Sequence, residues 1–274
     1  MTARVDHDLG PAERPVPDAT EHLRREGWAV LRGAVDPDLV RRLRSAMVRL
    51  LAGPADERSN AKAGDQFRYA VCNRSSIARE AIASRSVLDV IEPILGDDCH
   101  IIANTLWRNP AVGFRGQPWH TDAGPHVPRP AGIAWDDRIP YPVFVIATHF
   151  LLDDLTEADG ATAVVPGSHR SGLPVPADRR RDLDLSYEGV GPHHLTGSRG
   201  DVVLFCSDIW HRGLPSGEGA TGRFFLQCHY GRRDIAQRLL PTAEVNHLAP
   251  RVASAASGRE ATLLGLHPPG FYDG

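Results

Sequence analysis

The sequence predicts a mainly β protein, an antiparallel sandwich or jelly roll preceded by helices, and three observations carry that expectation. Short β-rich runs, "HIIANTLW", "YPVFVIATHFLLDD", "ATAVVPG", "DVVLFCSDIWH" and "RFFLQCHYG", follow one another after residue 98, separated by Gly, Pro and Asp clusters. No helical periodicity lies between them, which argues against a parallel sheet with crossover helices. The helical signals fall almost entirely before that point. With 274 residues and neither an internal repeat nor a second composition regime, one domain is expected over 19–274: helical to about 98, β from about 99 to 235, then a tail.

Residues 1–18 are rich in proline and charge with nothing periodic to bury, so they read as a flexible arm. "TEHLRREG" gives a short helix stopped by Gly27, and Trp28 to Leu31 a strand. Asp36 is placed to cap a longer helix, Pro37 to sit in its first turn, and Leu39, Val40, Leu43, Met47 and Leu50 to form its apolar stripe. "ADERSNAKAGDQ" reads as a loop, and "SRSVLDVIEPILGDD" as an amphipathic helix starting at Ser84 or Ser86 and closing at Gly96. The long insert "AGPHVPRPAGIAWDDRIPYP" interrupts the β region, and insertions of this length in compact domains are commonly functional.

Composition excludes several classes. The net charge is -3 and the only basic run is Arg179 to Arg181, so there is no footprint for nucleic acid. Cys72, Cys99, Cys206 and Cys228 never form C-x-x-C and read as buried free thiols. There is neither an N-terminal apolar core nor a membrane-length apolar stretch, so a soluble, cytoplasmic protein is expected.

Chemistry concentrates in "WHTDAG". On a strand, His120 and Asp122 would share one face with Cα atoms roughly 6.5 Å apart, close enough to reach one ion. Alone, the pair is equally well a hydrogen-bonded histidine and aspartate. His211 in "FCSDIWHRG" supplies a third donor from a distant strand. Two histidines and one carboxylate form the facial set that leaves half of an octahedral iron(II) open. Arg223, twelve residues on, offers a planar fork suited to a carboxylate such as the distal end of 2-oxoglutarate.

"WHTD", "HFLLDDLTEADGATAVVPGSH", "GDVVLFCSDIWHRGLP" and "GRFFLQCHYG", in that order, together with the opening "EGWAVLRGAVDPDLVRRLRSAM", resemble the phytanoyl-CoA dioxygenase (PhyH) family of iron(II)- and 2-oxoglutarate-dependent oxygenases over roughly residues 20–235. The resemblance implies a cupin-like double-stranded β-helix with His120, Asp122 and His211 on iron(II), Arg223 on 2-oxoglutarate, and O₂ as oxidant. His149 stands where the family often has a tryptophan lining the keto-acid pocket; it is either a contact to 2-oxoglutarate or substrate, or a core histidine. Gly213 replaces a hydroxyl residue common in relatives. Asn104 and Thr105 match positions that line the keto-acid, and strand alternation lets only one of them face inward. Thr162 is a further candidate, and Asp122 argues against a halogenase, whose carboxylate gives way to a small residue. Arg68, His126 and Trp135 are the candidate substrate contacts. His169 reads as structural, while His193, His194 and His229 are left without a role.

The function expected is therefore a dioxygenase that hydroxylates, desaturates, cyclises or oxidises a small metabolite, in a bacterial biosynthetic pathway. With Lys62 the only lysine, a phosphate-rich CoA substrate is disfavoured. The alternatives are a catalytically silent β-barrel that binds or senses a small molecule and, ranking lower, a cupin-like isomerase or hydrolase on another metal.

Overall fold

The computed structural model describes residues 4–5, 18–54, 66–110, 113–122, 124–235 and 248–268. Its elements run β1 (Arg4–Val5), α1 (Ala19–Glu26), β2 (Trp28–Arg32), α2 (Pro37–Ala52), β3 (Gln66–Tyr69), α3 (Val71–Arg74), α4 (Ser76–Ile82), α5 (Arg85–Leu95), β4 (His100–Arg108), β5 (Val145–Leu151), β6 (Thr162–Val164), β7 (His193–Leu195), β8 (Val202–Cys206), β9 (His211–Gly213), β10 (Phe224–Gly231), α6 (Pro250–Ala255) and α7 (Gly258–Leu263).

Two antiparallel sheets form the frame, one ordered β1-β2-β8-β5-β10-β4-β3 and the other β7-β6-β9. The larger sheet is buried on both faces, and strand alternation divides its side chains cleanly. Trp28 and Val30 of β2, Ala147 and Leu151 of β5, Val203 and Phe205 of β8, and Phe225 of β10 meet Val164 and Leu195 of the smaller sheet. The alternate residues, among them Ala29, Leu31, Val202, Leu204, Phe224 and Leu226, pack instead against α1, α2, α4, α5 and α7. A strand buried on both faces has no polar side, which is why these runs read as continuous apolar stretches. The jelly-roll expectation holds.

The helices are set by the residues the sequence marks. Asp36 accepts from the backbone of Asp38 and Leu39 at 2.9 and 3.2 Å, capping α2. Asp18 caps α1, and Gly27 ends it at φ 84°. Ser84 and Gly96 bound α5 as expected, with Pro93 inside its last turn. All four cysteines are buried free thiols. No helix among the described residues is long and apolar enough to cross a membrane.

Several expectations need correction. Arg4–Val5 pairs antiparallel with Leu31–Arg32 at the sheet edge, so part of the expected loose arm is a strand; two residues are too short to leave a periodic signal. The rest of that arm lies outside the described residues. In α2 the buried position is Leu51, with Leu50 only partly covered. The loop expected over residues 55–65 also falls outside the described residues, but Gln66–Tyr69 at its end is an edge strand paired with β4. The tail carries α6 and α7, whose Val252, Leu263 and Leu264 join the helical-layer core.

Candidate metal and co-substrate site

Sequence expected His120 and Asp122 on one strand. The structure places them instead on an irregular segment joined to β9 by a single antiparallel bridge: His120 and His211 exchange both backbone hydrogen bonds at 2.9 Å. The Asp122 N–H donates to the Ser207 carbonyl at 3.1 Å, fixing the next turn of chain. Proline, glycine and polar residues around "RGQPWHTD" give no alternation, so one bridge does the work of a strand.

The three side chains converge. One donor atom from each of His120, Asp122 and His211 lies within 4.8 Å of the other two, and this is the cluster of metal-ligating type found among the described residues. Asp122 Oδ1 sits 3.7 Å from His120 Nε2 and 3.4 Å from His211 Nε2. Each imidazole has its other nitrogen occupied: Nδ1 of His120 faces the Pro118 carbonyl at 2.9 Å and Nδ1 of His211 the Ile209 carbonyl at 3.0 Å. A carbonyl only accepts, so both rings carry the proton on Nδ1 and turn a bare Nε2 lone pair to the shared centre. Two imidazole nitrogens and one carboxylate oxygen are a donor set that fits iron(II) with open positions.

Electrostatics keep Asp122 ionised and His120 neutral. Burial raises the Asp122 pKa, but His211 and His229 outweigh it and hold the carboxyl well below its usual range. Burial and the neighbouring His211 push His120 down, keeping it neutral. The His211 side chain is 6% exposed, against 35% for His120 and 24% for Asp122, so the centre opens to solvent on the His120–Asp122 side.

A cavity of about 140 Å³ joins the three residues to Trp107, Gln117, His149, Thr162, Phe205, Gly213, Arg223, Phe225, Gln227 and His229. Arg223 is buried at its floor, its Nε donating to Asn109 Oδ1 at 2.9 Å and its guanidinium lying over Phe114 and Phe225. A Cβ on Gly213 would sit 3.0 Å from both terminal nitrogens of Arg223 and 3.1 Å from Gln117 Oε1. The glycine is therefore what lets the guanidinium and Gln117 approach, and the Gly213 N–H itself donates to Gln117 Oε1 at 3.2 Å. His149 stacks on Phe225 at 4.2 Å, and its buried Nε2 has no hydrogen-bond partner. Burial and Arg223 drive its pKa well below the normal value, so it faces the cavity neutral. An orphaned polar atom beside a buried guanidinium fits an oxygen-rich anion such as 2-oxoglutarate.

Of the other sequence candidates, Thr162 lines the cavity while Thr105 and Asn104 do not, though alternation on β4 puts Thr105 on the same face as the cavity-lining Trp107. Thr105 Oγ donates to Gln227 Oε1 at 3.0 Å, whereas Asn104 Oδ1 faces the helical layer and accepts from the Cys72 N–H at 2.8 Å. Arg68 is buried away from the cavity, its guanidinium on the carbonyls of Phe67, Leu51 and Gly53 at the end of α2; a buried arginine closing a helix C-terminus is structural. Neither His126 nor Trp135 lines the cavity. His126 is held by Asp208 through ring and backbone, and Trp135 packs on Tyr141 beside a separate cavity of about 550 Å³ bounded by Arg24, Arg25 and Arg170. The sequence reading missed Trp107, Gln117, Gln227 and His229. The last two were legible as Arg223, Phe225, Gln227 and His229, alternate residues that all point inward.

The model of the family described as phytanoyl-CoA dioxygenase (PhyH) matches residues 23–219. Two curated relatives are named ectoine dioxygenase: one from Nocardia farcinica is 24% identical over 68% of this chain and 68% of its own, and one from Sphingopyxis alaskensis is 29% identical over 68% and 66%. Among solved structures, EctD from S. alaskensis with 2-oxoglutarate and 5-hydroxyectoine superposes with TM-score 0.60 at 25% identity, covering 85% of this chain and 83% of that one. The epimerase SnoN, solved with Fe3+, alpha-ketoglutarate and a nogalamycin compound, shares the fold with TM-score 0.63 at 17% identity over 82% and 86%.

Proposed function

The chain belongs to the phytanoyl-CoA dioxygenase family and is an iron(II)- and 2-oxoglutarate-dependent dioxygenase using O₂; from that premise we propose that His120, Asp122 and His211 hold the iron, Arg223 binds the distal carboxylate of 2-oxoglutarate, and the enzyme hydroxylates a small polar metabolite. The observation that carries the assignment is the convergence of three donor atoms within 4.8 Å above a buried arginine.

Iron(II) with 2-oxoglutarate and O₂ supplies oxidative decarboxylation to succinate and CO₂, coupled to removal of hydrogen from an unactivated C–H bond. The residues of the chain orient and exclude. Arg223, held by Asn109 and lying over Phe114 and Phe225, presents a fixed positive fork from a buried position. His149 and Thr162 complete the co-substrate wall, and Thr105 acts through Gln227. The Gln227 carbonyl accepts from both the Thr105 hydroxyl and the Trp107 indole at 3.0 and 3.1 Å. An indole can only donate, so the Gln227 amide NH₂ is turned the other way, toward the cavity that Gln227 lines. That donor suits a substrate bearing an oxygen acceptor, in keeping with the small metabolite of a cytoplasmic bacterial pathway that we infer. The relatives' names favour a compact polar substrate over a CoA ester.

The test is succinate formation from 2-oxoglutarate, without and with a panel of small polar metabolites. Wild type should form succinate slowly alone and faster with the right substrate, and His120→Ala, Asp122→Ala and His211→Ala should form none. Full turnover in any one variant would remove that residue from the metal set.

A further inference from the structure

His229 has no role in the reading of the sequence, yet its Nε2 lies 2.9 Å from Asp122 Oδ2. The two oxygens of Asp122 thus have different partners: Oδ1 faces the Nε2 atoms of His120 and His211, and Oδ2 faces His229. His229 itself is not in the converging donor set. Because a carboxylate in this range only accepts, the 2.9 Å contact is a histidine N–H donating to it.

We propose that His229 is a positioning residue that holds Asp122 to one-oxygen ligation of the iron. A carboxylate with both oxygens unengaged can swing to bind a metal through two, which would consume one of the three coordination positions that a keto-acid and O₂ need. The N–H of His229 engages Oδ2 and prevents this. The fold presents His229 for the purpose. It is the last inward residue of β10, and the register between β10 and β4 shifts between His229 and Tyr230, leaving Ile102 of β4 as an extra residue. The extra residue lies on β4, so the alternation of β10 itself is unbroken and carries His229 inward beside Gln227. The backbone of Asp122 is fixed independently by Ser207, so His229 governs the carboxylate plane, not the path of the chain.

The inference rests on the iron site proposed above, and its test separates the two. Titrating anaerobic apo-protein with Mn(II) as a probe, and with iron(II) followed by 2-oxoglutarate, is done for wild type, His229→Leu and His229→Gln, alongside thermal melting of each apo-protein. Glutamine can return an N–H near the Nε2 position; leucine cannot. Loss of an outer-shell partner should weaken metal binding roughly 10- to 100-fold in His229→Leu. The same variant should show a shifted or weakened iron-to-keto-acid absorption band, with His229→Gln recovering most of both and all three apo-proteins melting alike. Wild-type affinity and an unchanged band in His229→Leu would overturn the role of His229 while leaving the metal site standing. A lowered apo melting temperature with no rescue by glutamine would overturn it in favour of a purely structural histidine. Failure of the wild type to bind either metal would overturn the site and this inference together.

Discussion

At the scale of single residues, the site turns on one absent side chain. By the family resemblance Gly213 stands where many relatives carry a hydroxyl, which by itself suggests a lost hydrogen bond. The structure gives the reason: a Cβ there would press on Arg223 and Gln117 at 3.0 and 3.1 Å, and Gln117 takes the backbone N–H that a side chain would otherwise crowd. Gly213→Ser should therefore harm the enzyme, not restore a family feature. Crowding of this kind costs about 1–3 kcal/mol, so the KM for 2-oxoglutarate should rise roughly 5- to 150-fold with iron affinity unchanged. Steady-state kinetics check this, and an unaltered KM would show that the guanidinium has room to yield. Arg223→Lys keeps the charge but loses the fork and the Asn109 bond; a rise in the same KM of about 10-fold or more is expected, from two charge-assisted bonds reduced to one. Gln117 was not legible beforehand, because a single polar residue in an irregular segment carries no spacing that marks it, whereas Trp107 sits on β4 two residues after Thr105 and shares its face.

At the scale of elements, β10 was the most legible piece and α1 the most dependent on its surroundings. In "RFFLQCHY" the odd residues Arg223, Phe225, Gln227 and His229 enter the site, and the even ones, Phe224, Leu226, Cys228 and Tyr230, join the helical-layer core, an alternation the sequence displays outright. The α1–β2 junction is different. Gly27 has φ 84°, and a Cβ on it would lie 2.5 Å from His169 Nδ1, a contact no local pattern predicts. Gly27→Ala should lower stability by about 1–3 kcal/mol through the backbone penalty and the collision combined, read as a fall in denaturation midpoint. His169 donates from Nε2 to the Arg24 carbonyl at 3.0 Å, while its buried Nδ1 has no partner. Burial, aided by Arg170, brings its pKa from 6.5 to about 4. Below pH 6.5 the unfolded chain gains a proton that the folded chain refuses until about pH 4, so the folded state loses stability as pH falls through that window, by on the order of 3 kcal/mol in full. His169→Gln should flatten the fall in melting temperature between pH 7 and 4; an identical slope would place the acid sensitivity elsewhere.

At the scale of the whole molecule, the candidate metal and co-substrate site exists only because the two sheets close on each other: Arg223 comes with the larger sheet, His211 and Gly213 with the smaller, and His120 and Asp122 with the segment bridged to it. Their types and order were visible in the sequence; the closure that joins them was implied only by resemblance. The insert at 124–141 behaves otherwise. Asp208 holds both of its ends, through the His126 backbone and the Tyr141 hydroxyl at 3.0 and 2.9 Å, three residues before His211. Asp208→Ala should speed hydrogen exchange across 126–141 while β5 and β10 stay protected; unchanged exchange would mean the insert is held by other contacts. The central claim is that the triad and Arg223 act as one site. It is tested most directly by anaerobic absorbance on adding iron(II) and then 2-oxoglutarate to wild type and to Arg223→Ala. The account predicts an iron-to-keto-acid charge-transfer band in wild type that needs far more 2-oxoglutarate in the variant. No band in folded wild-type protein, or a band of equal 2-oxoglutarate dependence in both, would contradict it.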